Sequence, residues 1–89
     1  MKSSPQQETS RNRISPEKAL GLVLRALREK SSLSQEALAY EADLHRTYIG
    51  QLERGEKSPS LKTVFAIAAS LDAAPSEIIR NVERLASPR

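Results

Sequence analysis

The chain has no cysteine and a single histidine. Without cysteine there is neither a disulfide framework nor a thiolate metal site. One histidine without such neighbours forms no ligand cluster, and no base–nucleophile constellation surrounds it. A phosphate-cradling loop is missing as well, so an enzyme reading has almost nothing behind it. No cofactor, metal or small-molecule ligand is expected. No apolar run approaches the length of a signal sequence or a membrane span. Together, the missing cysteines and apolar runs lead to the expectation of a cytoplasmic protein with no membrane partner. Strand alternation, internal repeats and low-complexity tracts beyond the N-terminal tail are also absent.

What remains is a chain of 89 residues with a formal net charge of +3. That length makes one small domain whose core is only marginally sufficient, so pairing with a second copy would help it. The basic excess is compatible with nucleic acid, but it is modest and shared by many domains that bind none. Charge alone therefore decides nothing, and the weight falls on the residue pattern.

Met1 to Ile14 is polar, basic and without periodicity. It reads as a flexible tail, or alternatively as an arm in which Lys2, Arg11 and Arg13 touch DNA phosphates or a minor groove. Ser15-Pro16-Glu17 then starts a helix with a cap, a proline at the first helical position and an acid. Leu20, Val23, Leu24 and Leu27 share its inner face, while Leu22 is an apolar misfit on the outside. A helix over Gln35–Ala42 and another over Arg46–Arg54 follow, with Gly55 as the stop. Ser60 caps a fourth helix, expected to bury Leu61, Val64, Ile67, Ala68 and Leu71. Pro75 opens a fifth, carrying Ile78, Ile79, Val82 and Leu85. The expectation is an all-α, compact five-helix bundle: a domain over 15–86 between an N-terminal tail and the short segment 87–89.

The most telling segment is Ser34 to Gly55. Ser34 caps one short helix, with Gln35 and Glu36 in its first turn. Leu38, Ala39 and Ala42 form its apolar stripe. Asp43 stands where that helix must stop, and aspartate tolerates a left-handed backbone better than most residues. Leu44 plugs the corner. In the next helix Ile49 and Leu52 point inward, leaving Arg46, Thr47, Tyr48 and Gln51 for the outside. This is the layout of a helix-turn-helix, whose second helix lies in the DNA major groove.

Ser34-Gln35-Glu36-x-Leu38-Ala39, Tyr48-Ile49-x-x-Leu52-Glu53-Arg54-Gly55, Pro59-Ser60-Leu61 and Ile67-Ala68-x-x-Leu71 resemble the Cro/C1-type (XRE) helix-turn-helix family of bacterial and phage repressors. The lambda-repressor-like fold is implied with it. The run Asp43-Leu44-His45-Arg46-Thr47-Tyr48-Ile49 looks most like the controller proteins of restriction–modification systems. The resemblance covers roughly Leu20 to Ile79, most of the chain. It implies a sequence-specific transcriptional regulator that acts on the nucleoid. Such a regulator binds double-stranded DNA as a homodimer on a pseudo-palindromic operator and controls its own operon.

Base readers must project from the N-terminal half of the third helix, which selects Arg46, Thr47 and Gln51. Arginine suits the N7/O6 edge of guanine, glutamine suits adenine, and threonine offers a methyl to thymine or a hydroxyl to phosphate. Gln35 at the start of the second helix is a phosphate contact in the family. Tyr48, Lys57, Ser58 and Lys62 are further phosphate candidates. Arg54 either neutralises a phosphate or bonds to its own loop. The resemblance also implies an internal ion pair between Arg28 and Glu53, which orients the reading helix more than it stabilises the fold. His45 occupies a position where the family has a capping residue. It either caps poorly or meets a phosphate. Ile78, Ile79, Val82 and Leu85 offer more apolar surface than a small bundle needs, so part of the set is expected at a dimer interface. The competing reading is an antitoxin-like module that chiefly holds a protein partner. Against it, only Ala86 to Arg89 follow Leu85, and the N-terminal tail lacks hydrophobic anchors.

Overall fold

A computed structural model describes residues 14–86. Most of the N-terminal tail, with the arm residues Lys2, Arg11 and Arg13, and the segment 87–89 lie outside the described residues. Five helices follow one another: α1 Pro16–Lys30, α2 Gln35–Ala42, α3 Arg46–Glu53, α4 Leu61–Ser70 and α5 Pro75–Ala86. No strand occurs among the described residues. Among the described residues no helix is long and apolar enough to cross a membrane.

Local chemistry sets the helix starts. The hydroxyls of Ser15, Ser34 and Ser60 accept from the backbone N–H groups of Lys18, Ala37 and Thr63 at 3.0, 3.0 and 3.1 Å. Each satisfies one amide that would otherwise lack an intrahelical partner. α5 begins at Pro75 although Ala74 has no side-chain oxygen to offer.

The helix ends share one device. After α1 the Leu33 N–H bonds back to the Arg28 carbonyl, and the same bond recurs from Leu44 to Ala39, Glu56 to Gln51 and Ala73 to Ala68. In each case the preceding residue takes a left-handed conformation: Ser32, Asp43, Gly55 and Asp72, with φ between 54° and 76°. This is the Schellman closure, which prefers glycine because a Cβ is unfavourable there. Only one of the four is glycine. Asp43 and Asp72 do what their type allows, whereas nothing in the local pattern marked Ser32.

α1 packs against α3 and α5, α2 against α3 and α4, and α4 against α5. Leu38, Ile49, Leu52, Ile67 and Ile78 are fully enclosed where these helices meet. Each such side chain contributes roughly 1.5–3 kcal/mol of burial. Leu20, Val23, Leu24, Ala39, Ala42, Ala68 and Leu71 complete the core, with Leu27, Leu44, Tyr48 and Val82 packed on it.

Leu61 corrects its expected burial. It is the first residue of α4 and 70% exposed. Side chains on a helix lean toward its N-terminus, so a residue in the first turn reaches past the body of the helix. Among the described residues no element covers Leu61. One turn on, Phe65 is 55% exposed, and with Ile79 of α5 the two line an open apolar hollow.

The contact of α1 with α3 depends on Gly21. A Cβ there would stand 2.4 Å from the Glu53 carbonyl oxygen and 2.6 Å from that of Leu52. The backbone of α1 thus lies directly against the last turn of α3, a close approach that only glycine permits.

Candidate nucleic-acid interface

α3 is the short helix on which the site is built. Ile49, Gly50 and Leu52 are buried, and Tyr48 is half-buried against the core. Arg46 and Thr47 are exposed at the start of the helix, and Gln51, one turn beyond Thr47, is half-buried. The i, i+4 spacing puts Thr47 and Gln51 on one side of the helix. His45 precedes α3 without a side-chain cap bond, and no acid stands in the first turn. The helix therefore opens with free amide donors and a guanidinium, an arrangement suited to negative charge.

The other end of α3 is held by a buried carboxylate. The Arg28 guanidinium grips Glu53 with two hydrogen bonds, Nε to Oε2 at 2.6 Å and Nη2 to Oε1 at 3.0 Å. Its remaining nitrogen, Nη1, donates to the Leu33 carbonyl in the α1–α2 turn at 2.8 Å. The side chains of Arg28 and Glu53 are only 11% and 4% exposed. Glu53 Oε1 also accepts from Gln35 Nε2 at 3.0 Å. Burial by itself would push the Glu53 carboxyl up. The hydrogen bonds from Arg28 and Gln35 and the Arg28 charge outweigh it, holding the carboxyl below the usual glutamate range. The Arg28 guanidinium is shifted up, chiefly by its hydrogen bond to the same carboxylate. No buried side-chain nitrogen or oxygen among the described residues lacks a partner.

Around this frame stand the remaining candidates. Gln35 opens α2, half-buried and tied to Glu53. Arg54 turns to its own loop, where Nε meets Glu56 Oε2 at 2.7 Å in an exposed pair. Lys57 and Ser58 are exposed in the α3–α4 loop, and Lys62 is exposed in the first turn of α4. Among the described residues, Arg46, Lys57 and Lys62 belong to no ion pair. Glu53 and Glu56, the acids at the end of α3, are each matched by an arginine.

The four candidate interface residues of α5 do not stay together. Ile78 is fully buried in the chain's own core and has no surface to offer a second copy, a correction to its expected role. Val82 is half-buried. Ile79 and Leu85 are 48% and 43% exposed, but on different sides. Six positions on a helix turn the side chain by about 120° net. Ile79 lines the hollow with Leu61 and Phe65 of α4, whereas Leu85 lines another with Leu22 and Ala26 of α1. The apolar content of α5, read from the sequence, does not divide its faces. Phe65, which sequence reasoning passed over, lies one turn from Leu61 and was detectable by that spacing. Gly21 and the Gln35–Glu53 bond were also missed. A lone glycine within a helical pattern is the only signal that pointed to the former.

A helix-turn-helix with an exposed polar reader, a buried anchor and unpaired cations beside it defines a DNA-binding module. A family model described as helix-turn-helix matches residues 24–78. Control protein C.BamHI of Bacillus amyloliquefaciens is 43% identical over 60 residues, which span 66% of this chain and 74% of that protein. The restriction-modification controller protein C.AhdI from Aeromonas hydrophila has a solved structure that superposes with a TM-score of 0.67 at 41% identity, covering 68% of this chain and 92% of that one. An immunity repressor protein of Bacillus phage phi105 is 37% identical over 60 residues, 67% of this chain but 42% of that longer protein. The chain belongs to the helix-turn-helix family of Cro/C1 type. It is a DNA-binding transcriptional regulator, not an enzyme.

Proposed function

We propose that this regulator binds a pseudo-palindromic operator as a homodimer in the bacterial cytoplasm, on the nucleoid, and controls its own operon, as a restriction–modification controller does. The observation that carries the reading is the two-ended construction of α3. Arg46 and Thr47 are exposed at its start, and a buried, fully bonded carboxylate anchors its end. Arg46, Thr47 and Gln51 read base edges. Gln35, Tyr48, Lys57, Ser58 and Lys62 hold phosphates, and Arg54 joins them where Glu56 releases it. The second copy docks on the strip of Leu61, Phe65 and Ile79. Arg80 and Glu83 border that strip, so a two-fold axis can set the arginine of one copy against the glutamate of the other. Recovery of bound sequences from random DNA gives half-site and spacing, expected about 34 Å apart along the duplex.

Two substitutions then separate the roles. Arg46→Ala should cost roughly 1–3 kcal/mol and relax preference at one base pair per half-site. Lys57→Ala should weaken all sequences about equally and lower the salt dependence by roughly one unit of slope per contact. Equal weakening of operator and random DNA by Arg46→Ala would make Arg46 a phosphate contact and overturn this assignment.

A further inference from the structure

Glu53 is the last residue of the reading helix, and its nearly enclosed carboxylate accepts three hydrogen bonds. Two come from Arg28 and the third from Gln35. An ionised carboxylate can only accept, so it dictates which way round the Gln35 carboxamide sits, with the nitrogen toward Glu53. The amide oxygen is then 3.7 Å from the point where a Cβ on Gly50 would stand, against the middle of α3. One of the two amide N–H groups is committed to Glu53, and the second is left for an acceptor outside. Arg28 adds a parallel tie, because its third nitrogen holds the Leu33 carbonyl two residues before Gln35. The start of α2 and the end of α3 are thus joined twice through one buried ion pair.

We propose that Glu53 is a positioning residue for DNA binding. It acts through Gln35, locking the amide so that its second N–H meets a backbone phosphate in register with the bases that α3 reads. The inference rests on the assignment of Gln35 to a phosphate given above. An unrestrained glutamine at a helix start would turn its amide freely and offer oxygen, which repels phosphate, as readily as nitrogen. Orienting the group in the free protein removes that ordering cost from the binding step.

The test is a double-mutant cycle on operator affinity, using a labelled duplex with the sequence that the purified protein selects from random DNA. Gln35→Ala and Glu53→Gln are each expected to weaken binding about tenfold, the worth of one well-made hydrogen bond. The double variant should be no more than about twofold weaker than Gln35→Ala alone, since no amide is left to orient and a glutamine at position 53 keeps an oxygen that accepts from Arg28 and holds the end of α3. Neither variant removes a cation, so the salt slope stays unchanged. The effects of Glu53→Gln and Arg46→Ala should multiply, because Arg46 lies outside the network. Multiplying effects of Glu53→Gln and Gln35→Ala would overturn the positioning role. If Gln35→Ala left operator affinity intact, the phosphate assignment itself would fall, a result distinct from the former. NMR of the unmodified protein keeps the proposal testable should Glu53→Gln fail to fold. One Gln35 side-chain amide proton should be shifted and slow to exchange in the free protein, and the other should shift when DNA is added. Two protons exchanging like those of a solvated amide would refute it.

Discussion

Replacing Arg28 by methionine keeps most of the stem and removes the guanidinium. Three hydrogen bonds disappear, two to Glu53 and one to the Leu33 carbonyl. The Glu53 side chain, 4% exposed, cannot recover the loss from solvent, and only the Gln35 bond remains to it. Removing one partner of a buried pair costs about 3–5 kcal/mol. The surviving Gln35 bond puts this case near the lower end, about 3 kcal/mol. A chain of 89 residues has a total stability of roughly 4–13 kcal/mol, so the variant loses a large part of it. Urea unfolding at pH 7 and fixed protein concentration measures the difference, with the concentration held because a dimer's stability depends on it.

The pH profile distinguishes a charge effect from simple loss of packing. In the unmodified protein the Glu53 carboxyl is held below its unfolded value, near pH 4.3. The native state then binds fewer protons than the unfolded state in that acid window. Stability therefore rises with pH there, is fully present above about pH 4.3, and is lost as pH falls through the lowered native value. Without Arg28, burial is opposed only by the Gln35 bond and the Arg25 charge, so the carboxyl loses most of what held it down. Its titration moves up from the native value, the two states bind more nearly equal numbers of protons, and the rise of stability with pH through that window is reduced. The two proteins should be closest at low pH and diverge toward neutrality. Parallel profiles, or a difference under about 1 kcal/mol at pH 7, would refute the account of Glu53 as a charge held by Arg28.

Three further outcomes are expected. Gly21→Ala puts a Cβ 2.4 Å from a backbone oxygen of α3, so α1 and α3 must separate, and overpacking of this kind costs roughly 1–3 kcal/mol. Thermal melts should show that loss, and weaker operator binding should accompany it. Ser32→Gly relieves a left-handed non-glycine residue at φ 60° and should stabilise the fold by about 0.5–1 kcal/mol in urea, whereas a loss would contradict the Schellman reading. Phe65→Asp, at a side chain 55% exposed, should leave the helical circular dichroism intact while sedimentation equilibrium shows a monomer; an unchanged dimer would move the interface elsewhere, with the Leu22–Leu85 hollow the next surface to test.

Much of this protein is local in origin and was legible residue by residue. Serine caps, Pro16 and Pro75 at helix starts, and Gly55 at a helix end act within one turn of chain. The apolar period that hides Leu38, Ile49, Leu52 and Ile67 acts within a few turns. The fold class and the identity of the reading helix follow from such signals, because a helix needs only its own hydrogen bonds and one apolar stripe. Ser32 is different: its side chain has no preference for the left-handed backbone that closes α1. Gly21 matters only because α3 crosses it, and no property of α1 alone reveals that approach. Leu61 satisfied the period of α4 and still ended exposed, since burial depends on whether another element arrives to cover a side chain. For the same reason Ile78 and Ile79, adjacent in sequence, finished in the core and on the surface. The bond from Gln35 to Glu53 joins two helices, and only the packing of α1, α2 and α3 around one carboxylate brings those groups within 3.0 Å.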